Sequence, residues 1–263
     1  MADSANHSQR RLRTPRVAES IAGDLRRRII SGDLADGTEL PAEAKLLEDY
    51  PASRPSLREA LRILETEQLV AVRRGKLGGT IVKKPTWKTA AYHLGLLLDH
   101  MGTPLEDLAN ARKLLEPLCA TLAAAREDHV AVAGELRAII EANKDALDDG
   151  VGFTTSAMDF HAALVRSANN HTLQLVVGML ESVWSTQERG WAQEADRSEQ
   201  YPSLDSRRAV VNAHERIVKA IAKGDGAAAS AAAAAHLDAS QRFIASSGSA
   251  IELLDEYGFS RLQ

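Results

Sequence analysis

The sequence predicts a mainly α-helical chain in two parts: three helices closed by a small β-hairpin, then an all-helical antiparallel bundle. Three observations carry that expectation. Apolar residues recur at helical spacing through most of the 263 residues. One short β-branched stretch, broken by glycines, interrupts them between Leu69 and Val82. Charge also divides at Lys84: residues 1–84 hold 16 Lys and Arg against 12 Asp and Glu, net +4, whereas residues 85–263 hold 16 against 24, net −8. A basic part joined to a larger acidic part suits a nucleic-acid module attached to something that should stay off nucleic acid.

Residues 1–13 are polar and arginine-bearing and read as a disordered basic tail. Residues 14–84 form the first domain. From Pro15 to Ile30, Val17, Ile21, Leu25 and Ile29 recur at four-residue intervals, and Ser31-Gly32-Asp33 stops the helix. Pro41 to Tyr50 supplies a short second helix with Leu46 and Leu47 inward. Pro51-Ala52-Ser53 breaks it and caps a third helix that runs to about Glu67.

On that third helix Leu57, Ala60, Leu61 and Leu64 fall at i, i+3, i+4 and i+7, a buried stripe, while Arg54, Arg58 and Arg62 recur every four residues elsewhere. Arg62 has Glu59 and Glu65 three residues to either side. Arg54 and Arg58 have no acid three or four residues away, so their partner is expected from outside the helix, and a polyanion is the obvious candidate. A solvated charged face is the plainer alternative. Beyond it, Leu69–Arg73 and Thr80–Lys83 read as a hairpin separated by Gly75, Gly78 and Gly79. Arg73, Arg74 and Lys76 charge its tip, and Gly75 lets the backbone come close to a ligand. Helix, helix, helix, hairpin is the order of a winged helix-turn-helix, whose third helix enters the major groove while the wing approaches the adjacent backbone or minor groove.

After Pro85-Thr86, residues 85–263 read as helix throughout: about Trp87–Met101, Pro104–Glu127, Val130–Asp149, Thr154–Ala168, Thr172–Glu194, Leu204–Lys223, Gly226–Ser246 and a short Ala250–Tyr257. Gly102, Gly150-Val151-Gly152, Asn169-Asn170 and Gly224-Asp225-Gly226 separate them. The alanine run Ala227–Ala235 favours helix and permits close approach by a neighbour. The single cysteine, Cys119, excludes an intrachain disulfide and reads as a small buried hydrophobe. No apolar run approaches the roughly 20 residues that span a bilayer, and no secretory signal follows the N-terminal arginines, so a cytoplasmic protein without membrane partners is expected.

His214 lies ten residues before Gly224 and His236 ten after Gly226. If the Gly-Asp-Gly turn folds one helix back on the next, both stand at one height, roughly 16 Å from the turn, and can face each other. His161 would make a third from another helix. Three converging imidazoles suit Zn²⁺ or a similar divalent ion with positions open for a carboxylate or water; satisfied core or solvent-facing histidines are the plainer alternative. His93, His100, His129 and His171 lack such a pairing and read as structural or surface residues. Trp184, Trp191 and Tyr92 line a pocket or belong to the core. Arg112 has a plain partner in Glu116, four residues on.

Leu40-Pro41-Ala42-Glu43, Ser53-Arg54, Leu57-Arg58-Glu59-Ala60-Leu61 and Gly75…Gly79-Thr80-Ile81-Val82 resemble the DNA-binding domain of GntR-family transcription regulators over about residues 15–84. Arg112 to Pro117, Phe160 to Leu164, Asn170 and the two later histidines resemble the helical FCD effector domain of the FadR-type subfamily. The resemblance implies a homodimeric regulator, a repressor in the first instance, whose paired recognition helices read an inverted-repeat operator in double-stranded DNA. It implies a small acidic metabolite, a carboxylate, in the bundle. Arg54 and Arg58 fall on DNA-contacting positions, and Ser53, Ser56, Arg62, Arg74, Gly75 and Lys76 complete the expected DNA-binding set. Arg112 and Asn170 become effector-binding residues, Arg112 with its guanidinium on the anion, and His161, His214 and His236 become metal ligands.

Two departures stand out. Many relatives carry a basic residue where this chain has Ala44, and Lys45 points about 100° away. The aspartate expected one turn before the first histidine is Ala157, and Asp159 points to a different side, so a metal here would have three protein ligands. A metal-dependent hydrolase built on the histidines is the rival from another class. It lacks a carboxylate placed as general base beside His161 and a Gly-x-Ser-x-Gly nucleophile motif, so the chain is expected not to be an enzyme.

Overall fold

A computed structural model describes residues 13–73 and 78–245, leaving aside the side chains of 13–15 and 242–245. The basic tail up to residue 12, the wing residues Arg74, Gly75 and Lys76, and the helix expected at 250–257 lie outside the described residues. The chain divides into two units, Met1–Thr86 and Trp87–Gln263.

In the first unit, α1 (Arg13–Ser31), α2 (Glu43–Asp49) and α3 (Arg54–Thr66) precede a two-stranded sheet of β1 (Val70–Val72) and β2 (Thr80–Val82). The strands pair antiparallel with Val70 opposite Val82 and Val72 opposite Thr80, and Glu39 adds an isolated bridge to Ile81. On α1 the buried residues are Ala18, Ile21, Ala22, Leu25 and Ile29, whereas Val17 is 39% exposed. Of the expected four-residue repeat, Ile21, Leu25 and Ile29 hold the core face and only Val17 leaves it. Each step of four overshoots a full turn by about 40°, so three such steps carry the stripe about 120° round and Val17, at its far end, gives way to Ala18 on the core face. Leu57, Ala60 and Leu64 of α3 are fully buried against this stripe, with Leu46, Leu69, Val70 and Val82 closing the core. Each large apolar side chain so buried contributes about 1.5–3 kcal/mol.

The second unit contains α4 (Trp87–His100), α5 (Leu105–Ala124), α6 (His129–Asp145), α7 (Gly150–Arg166), α8 (His171–Arg197), α9 (Leu204–Ala222) and α10 (Gly226–Ala245). Phe153, Phe160 and Leu164 of α7 pack with Leu136 and Ile140 of α6, Val211, Ile217 and Ile221 of α9, and Ala229 and Ala233 of α10. The alanines let α10 lie along both α5 and α9. Gly150-Val151-Gly152, expected to precede the helix, instead forms the first turn of α7. Asp149 caps it by accepting from Gly152 N at 3.0 Å, and a Cβ at Gly150 would meet the Tyr201 ring at 2.9 Å. That glycine is a packing choice as well as a breaker. No helix among the described residues is long and apolar enough to cross a membrane.

Candidate DNA-binding face and effector cavity

Ser53 caps α3: its Oγ accepts from Ser56 N at 3.3 Å and lies 2.9 Å from Ser56 Oγ. Ser56 is only 4% exposed, so its expected place among the DNA contacts is corrected. Its hydroxyl faces the cap because the fourth residue of that turn falls beside Leu57 and Ala60 on the inner side. Arg54, Arg58 and Arg62 all stand exposed on the outer side. Arg62 pairs with Glu59 at 3.3 Å, while Glu65 accepts from Val72 N.

Arg58 does have a protein partner, against the expectation of an external one. Its Nε and Nη2 donate to the two carboxylate oxygens of Glu43, at 3.1 and 3.2 Å, from the first turn of α2. Sequence spacing within one helix could not show a partner on another. The Arg58 side chain is 67% exposed, and a pair so exposed is worth about 0–1 kcal/mol, little obstacle to exchange for a phosphate. Arg54 makes no hydrogen bond or ion pair among the described residues. Lys45 is engaged by Glu48 and Asp49 at 3.1 and 3.5 Å. Behind the wing, Gly79 sits so close to the Glu39 carboxylate that a side chain there would have to push that flexible carboxylate aside.

In the second unit the α9–α10 turn does what the histidine spacing predicted. His214 Nε2 and His236 Nε2 are 3.1 Å apart, and His236 Nε2 lies 3.1 Å from His161 Nε2 of α7. All three rings are buried, and their ligand nitrogens lie within 4.8 Å of one another. Two nitrogens sharing one Zn²⁺ at a tetrahedral angle stand about 3.4 Å apart, close to this spacing. A single ring nitrogen either donates or accepts, so His236 Nε2 cannot make an ordinary hydrogen bond of opposite sense to each neighbour.

Burial pushes the His161 imidazole down to about 4, with Arg112 acting in the same direction, and holds His214 and His236 well below 6.5. At neutral pH all three are therefore uncharged, the form that ligates a metal. Glu116 hydrogen-bonds His161 Nδ1, placing that proton on Nδ1 and leaving Nε2 as a lone pair toward its neighbours. Around them stand two buried carboxyls, Glu116 and Glu181, and a half-buried third, Glu188, all pushed upward by removal from water, Glu181 to about 7, against the single buried cation Arg112. Neutral nitrogen donors beside an excess of buried acid fit a divalent cation, even without the aspartate that Ala157 replaces.

A cavity of about 360 Å³ opens over these histidines, lined among others by Ala157, His161 and His236, the aromatic rings of Trp184, Trp191 and Tyr201, and the charged groups Arg112, Glu188 and Arg207. Two effector assignments change. Asn170 is exposed and outside the cavity; its Oδ1 caps α8 by accepting from Leu173 N at 3.0 Å. Arg112 lines the cavity but is spoken for: Nε and Nη2 donate to Glu181 at 2.5 and 2.9 Å, and Nη2 reaches Glu116 at 3.3 Å. Gln241, its amide turned to satisfy both ends, accepts from Nη1 at 2.9 Å, and the Trp184 ring lies 4.8 Å from the guanidinium carbon.

Tyr92 is not among the lining residues. Glu181, Glu188, Tyr201 and Arg207 were missed. Glu181 and Glu188 had a signal, because they fall at helical spacing with Val177, Trp184 and Ala192, charges inside an apolar stripe. Cys119 is fully buried and its thiol pushed up to about 12 by burial, so it is no nucleophile.

Three helices and a hairpin with an outward cationic helix, together with a helical unit holding a polar-floored cavity, define a winged helix-turn-helix regulator with a sensing module. Residues 17–82 match the gntR family of bacterial regulatory proteins and residues 107–239 match the FCD domain, and the chain belongs to the GntR family. It is 30% identical to an uncharacterized HTH-type transcriptional regulator of Mycobacterium tuberculosis, over 86% of this chain and 88% of that one. It is 29% identical to the HTH-type transcriptional regulator LutR of Bacillus subtilis, over 80% and 92% of the two chains. It is 27% identical to the galactonate operon transcriptional repressor of Escherichia coli, over 85% and 95%. The solved structure of a Streptococcus agalactiae GntR shares the fold, with a TM-score of 0.64 at 24% identity over 86% of this chain and 99% of that one. The family and these relatives are transcription regulators, not enzymes, and the hydrolase alternative falls away.

Proposed function

We propose that this chain is a FadR-type repressor that binds an inverted-repeat operator as a homodimer and whose DNA affinity is set by a small carboxylate held in the α7–α9–α10 cavity. The observation that carries the reading is the outward row Arg54, Arg58 and Arg62 on a helix whose opposite face is fully buried. That geometry offers three guanidinium groups to a groove without disturbing the core. The wing residues Arg74, Gly75 and Lys76 belong to the same proposed contact set, as does the Ser53 cap.

A homodimer is supported by apolar side chains that no neighbour covers. Leu114 and Leu118, one turn apart on α5, are 74% and 48% exposed, and Leu97 on α4 and Met101 just past its end are 59% and 74% exposed. His161, His214 and His236 would hold a divalent ion such as Zn²⁺, which when bound supplies a Lewis-acid attachment point for an anionic effector. Effector and operator then compete or cooperate through the balance of dimer conformations each favours.

The test is fluorescence anisotropy against an operator selected from random duplex DNA by the wild-type protein. Arg54→Ala with Arg58→Ala should weaken specific binding by at least about thirtyfold, from about 1–3 kcal/mol per contact. Circular dichroism and sedimentation should show the same helicity and the same dimer. Unchanged operator affinity in that variant would sink the assignment.

A further inference from the structure

We propose that Glu43 is a specificity-determining residue: it stays paired with Arg58 on DNA and aims the free end of that guanidinium at a guanine, while Arg54 holds a phosphate. The inference rests on the reading of α3 as the recognition helix. An arginine carries five N–H donors in one plane, and the pair with Glu43 uses two of them. Nε and Nη2 donate to Oε1 and Oε2 at 3.1 and 3.2 Å, which closes the side edge of the fork. The end edge, one N–H on Nη1 and one on Nη2, makes no hydrogen bond among the described residues. Two parallel N–H groups of this kind match O6 and N7 of guanine in the major groove.

The surroundings favour a base contact for Arg58. Its side chain is 67% exposed and that of Glu43 31%, so the two meet on the outer side of the first unit from different helices, α3 and α2. A pair this exposed can give way to a phosphate, yet reading a base edge does not require it to break. Holding the guanidinium plane in advance also removes rotamer freedom that a long side chain would otherwise lose on binding. The second helix offers no rival cation: position 44 is Ala44, and Lys45 is engaged by Glu48 and Asp49 at 3.1 and 3.5 Å.

Arg54 is the contrasting case. One turn earlier on α3 it is exposed, and no side chain among the described residues fixes its plane, which suits a charge contact with the sugar-phosphate backbone. Glu43 has a second effect, because a carboxylate beside a polyanion is repelled at every position along the duplex. Only where a guanine completes the Arg58 fork is that repulsion offset, so Glu43 lowers affinity for random sequence more than for the operator. An acid in the first turn of α2 also complements the helix dipole, but that structural role cannot tell one base from another.

The test measures binding of the full-length protein to the operator that wild type selects from random duplex, with each guanine in turn replaced by 7-deazaguanine, which lacks the N7 acceptor. In wild type at least one guanine per half-site should show a loss of about fivefold or more. Glu43→Gln and Arg58→Ala should each shrink that loss to under about twofold, and the double variant should resemble Arg58→Ala, since both changes remove one unit. Glu43→Gln should also bind random duplex at least as tightly as wild type, with helicity retained. Arg54→Ala should keep the guanine-specific loss, weaken operator and random duplex alike, and lower the salt dependence by about one ion per protomer. A guanine loss that persists in full in Glu43→Gln overturns the role of Glu43 and leaves Arg58 as the reader. One that persists in Arg58→Ala, or is absent in wild type, overturns the whole assignment while the operator-binding reading stands. A wild-type protein that selects no operator overturns that reading itself.

Discussion

Replacing Arg112 with Gln should destabilise the second unit strongly, and the fall should depend on pH. The guanidinium is 2% exposed and holds Glu181 and Glu116 at the cavity floor. Removing one partner of a buried pair costs about 3–5 kcal/mol because the other is left uncompensated. The unit Trp87–Gln263 is of a size at which 1 kcal/mol moves the melting temperature by about 2–4 °C, so a fall of roughly 6–20 °C is expected. Glu181, pushed up to about 7 by burial even with Arg112 drawing it down, escapes part of this penalty by taking a proton. Its folded-state value rises further once Arg112 is gone. The sign follows: the variant's deficit is smaller at pH 6, where Glu181 is neutral, than at pH 8, where it must ionise or remain strained. Calorimetric melts of the full chain at both pH values measure the difference. A fall under about 2 °C at pH 8, or one equal at pH 6 and 8, would refute the view of Arg112 as an internal counter-ion.

Three further outcomes are expected. Ala157→Asp, one turn before His161 on the cavity wall, should tighten zinc retention by about tenfold or more against a competing chelator; unaltered retention argues against a three-histidine metal site. His214 is held neutral with its value well below 6.5, so its stabilising effect is complete above pH 6.5 and fades as pH falls. Stability of the metal-free wild type relative to His214→Gln should therefore decline as pH is lowered from 7.5 to 4.5, and a difference that grows instead contradicts the assignment. Gly150→Val pushes into the Tyr201 ring, 2.9 Å from the site of its first side-chain carbon, and should cost about 1–3 kcal/mol in urea unfolding; a neutral effect would mean the ring yields freely.

Both the helical bundle and the histidine cluster were legible in the sequence because they depend on short-range periodicity and on counting from one turn. The ten-residue arms on either side of Gly224-Asp225-Gly226 needed no knowledge of the rest of the unit. Arg112 and Glu181 are 69 residues apart, and nothing local distinguishes a pair made within α5 from one made across to α8. Their burial did leave a trace, since Arg112 and Glu116 sit on the same face of α5 as Leu105, Leu108, Ala109, Cys119 and Ala123. Charges on an apolar stripe announce an internal network without naming its members. Arg207 had no such trace, because Arg208 follows it and only the packing of α9 shows which of the two turns inward. The Arg58–Glu43 pair was hidden for the same reason, the angle between α2 and α3 being a tertiary property.

The turn between α9 and α10 also bears on how the site can change over evolutionary time. Most positions of the alanine-rich α10 could be exchanged for other small residues with the histidines still in place. An insertion or deletion of one residue within either helical arm, between His214 and Ala222 or between Gly226 and His236, is different in kind, because it swings one imidazole about 100° around its helix and slides it by about 1.5 Å. Length between the two histidines is thus under tighter constraint than composition. In this chain the 22-residue separation of His214 and His236 is a more diagnostic mark of the site than any side chain lying between them.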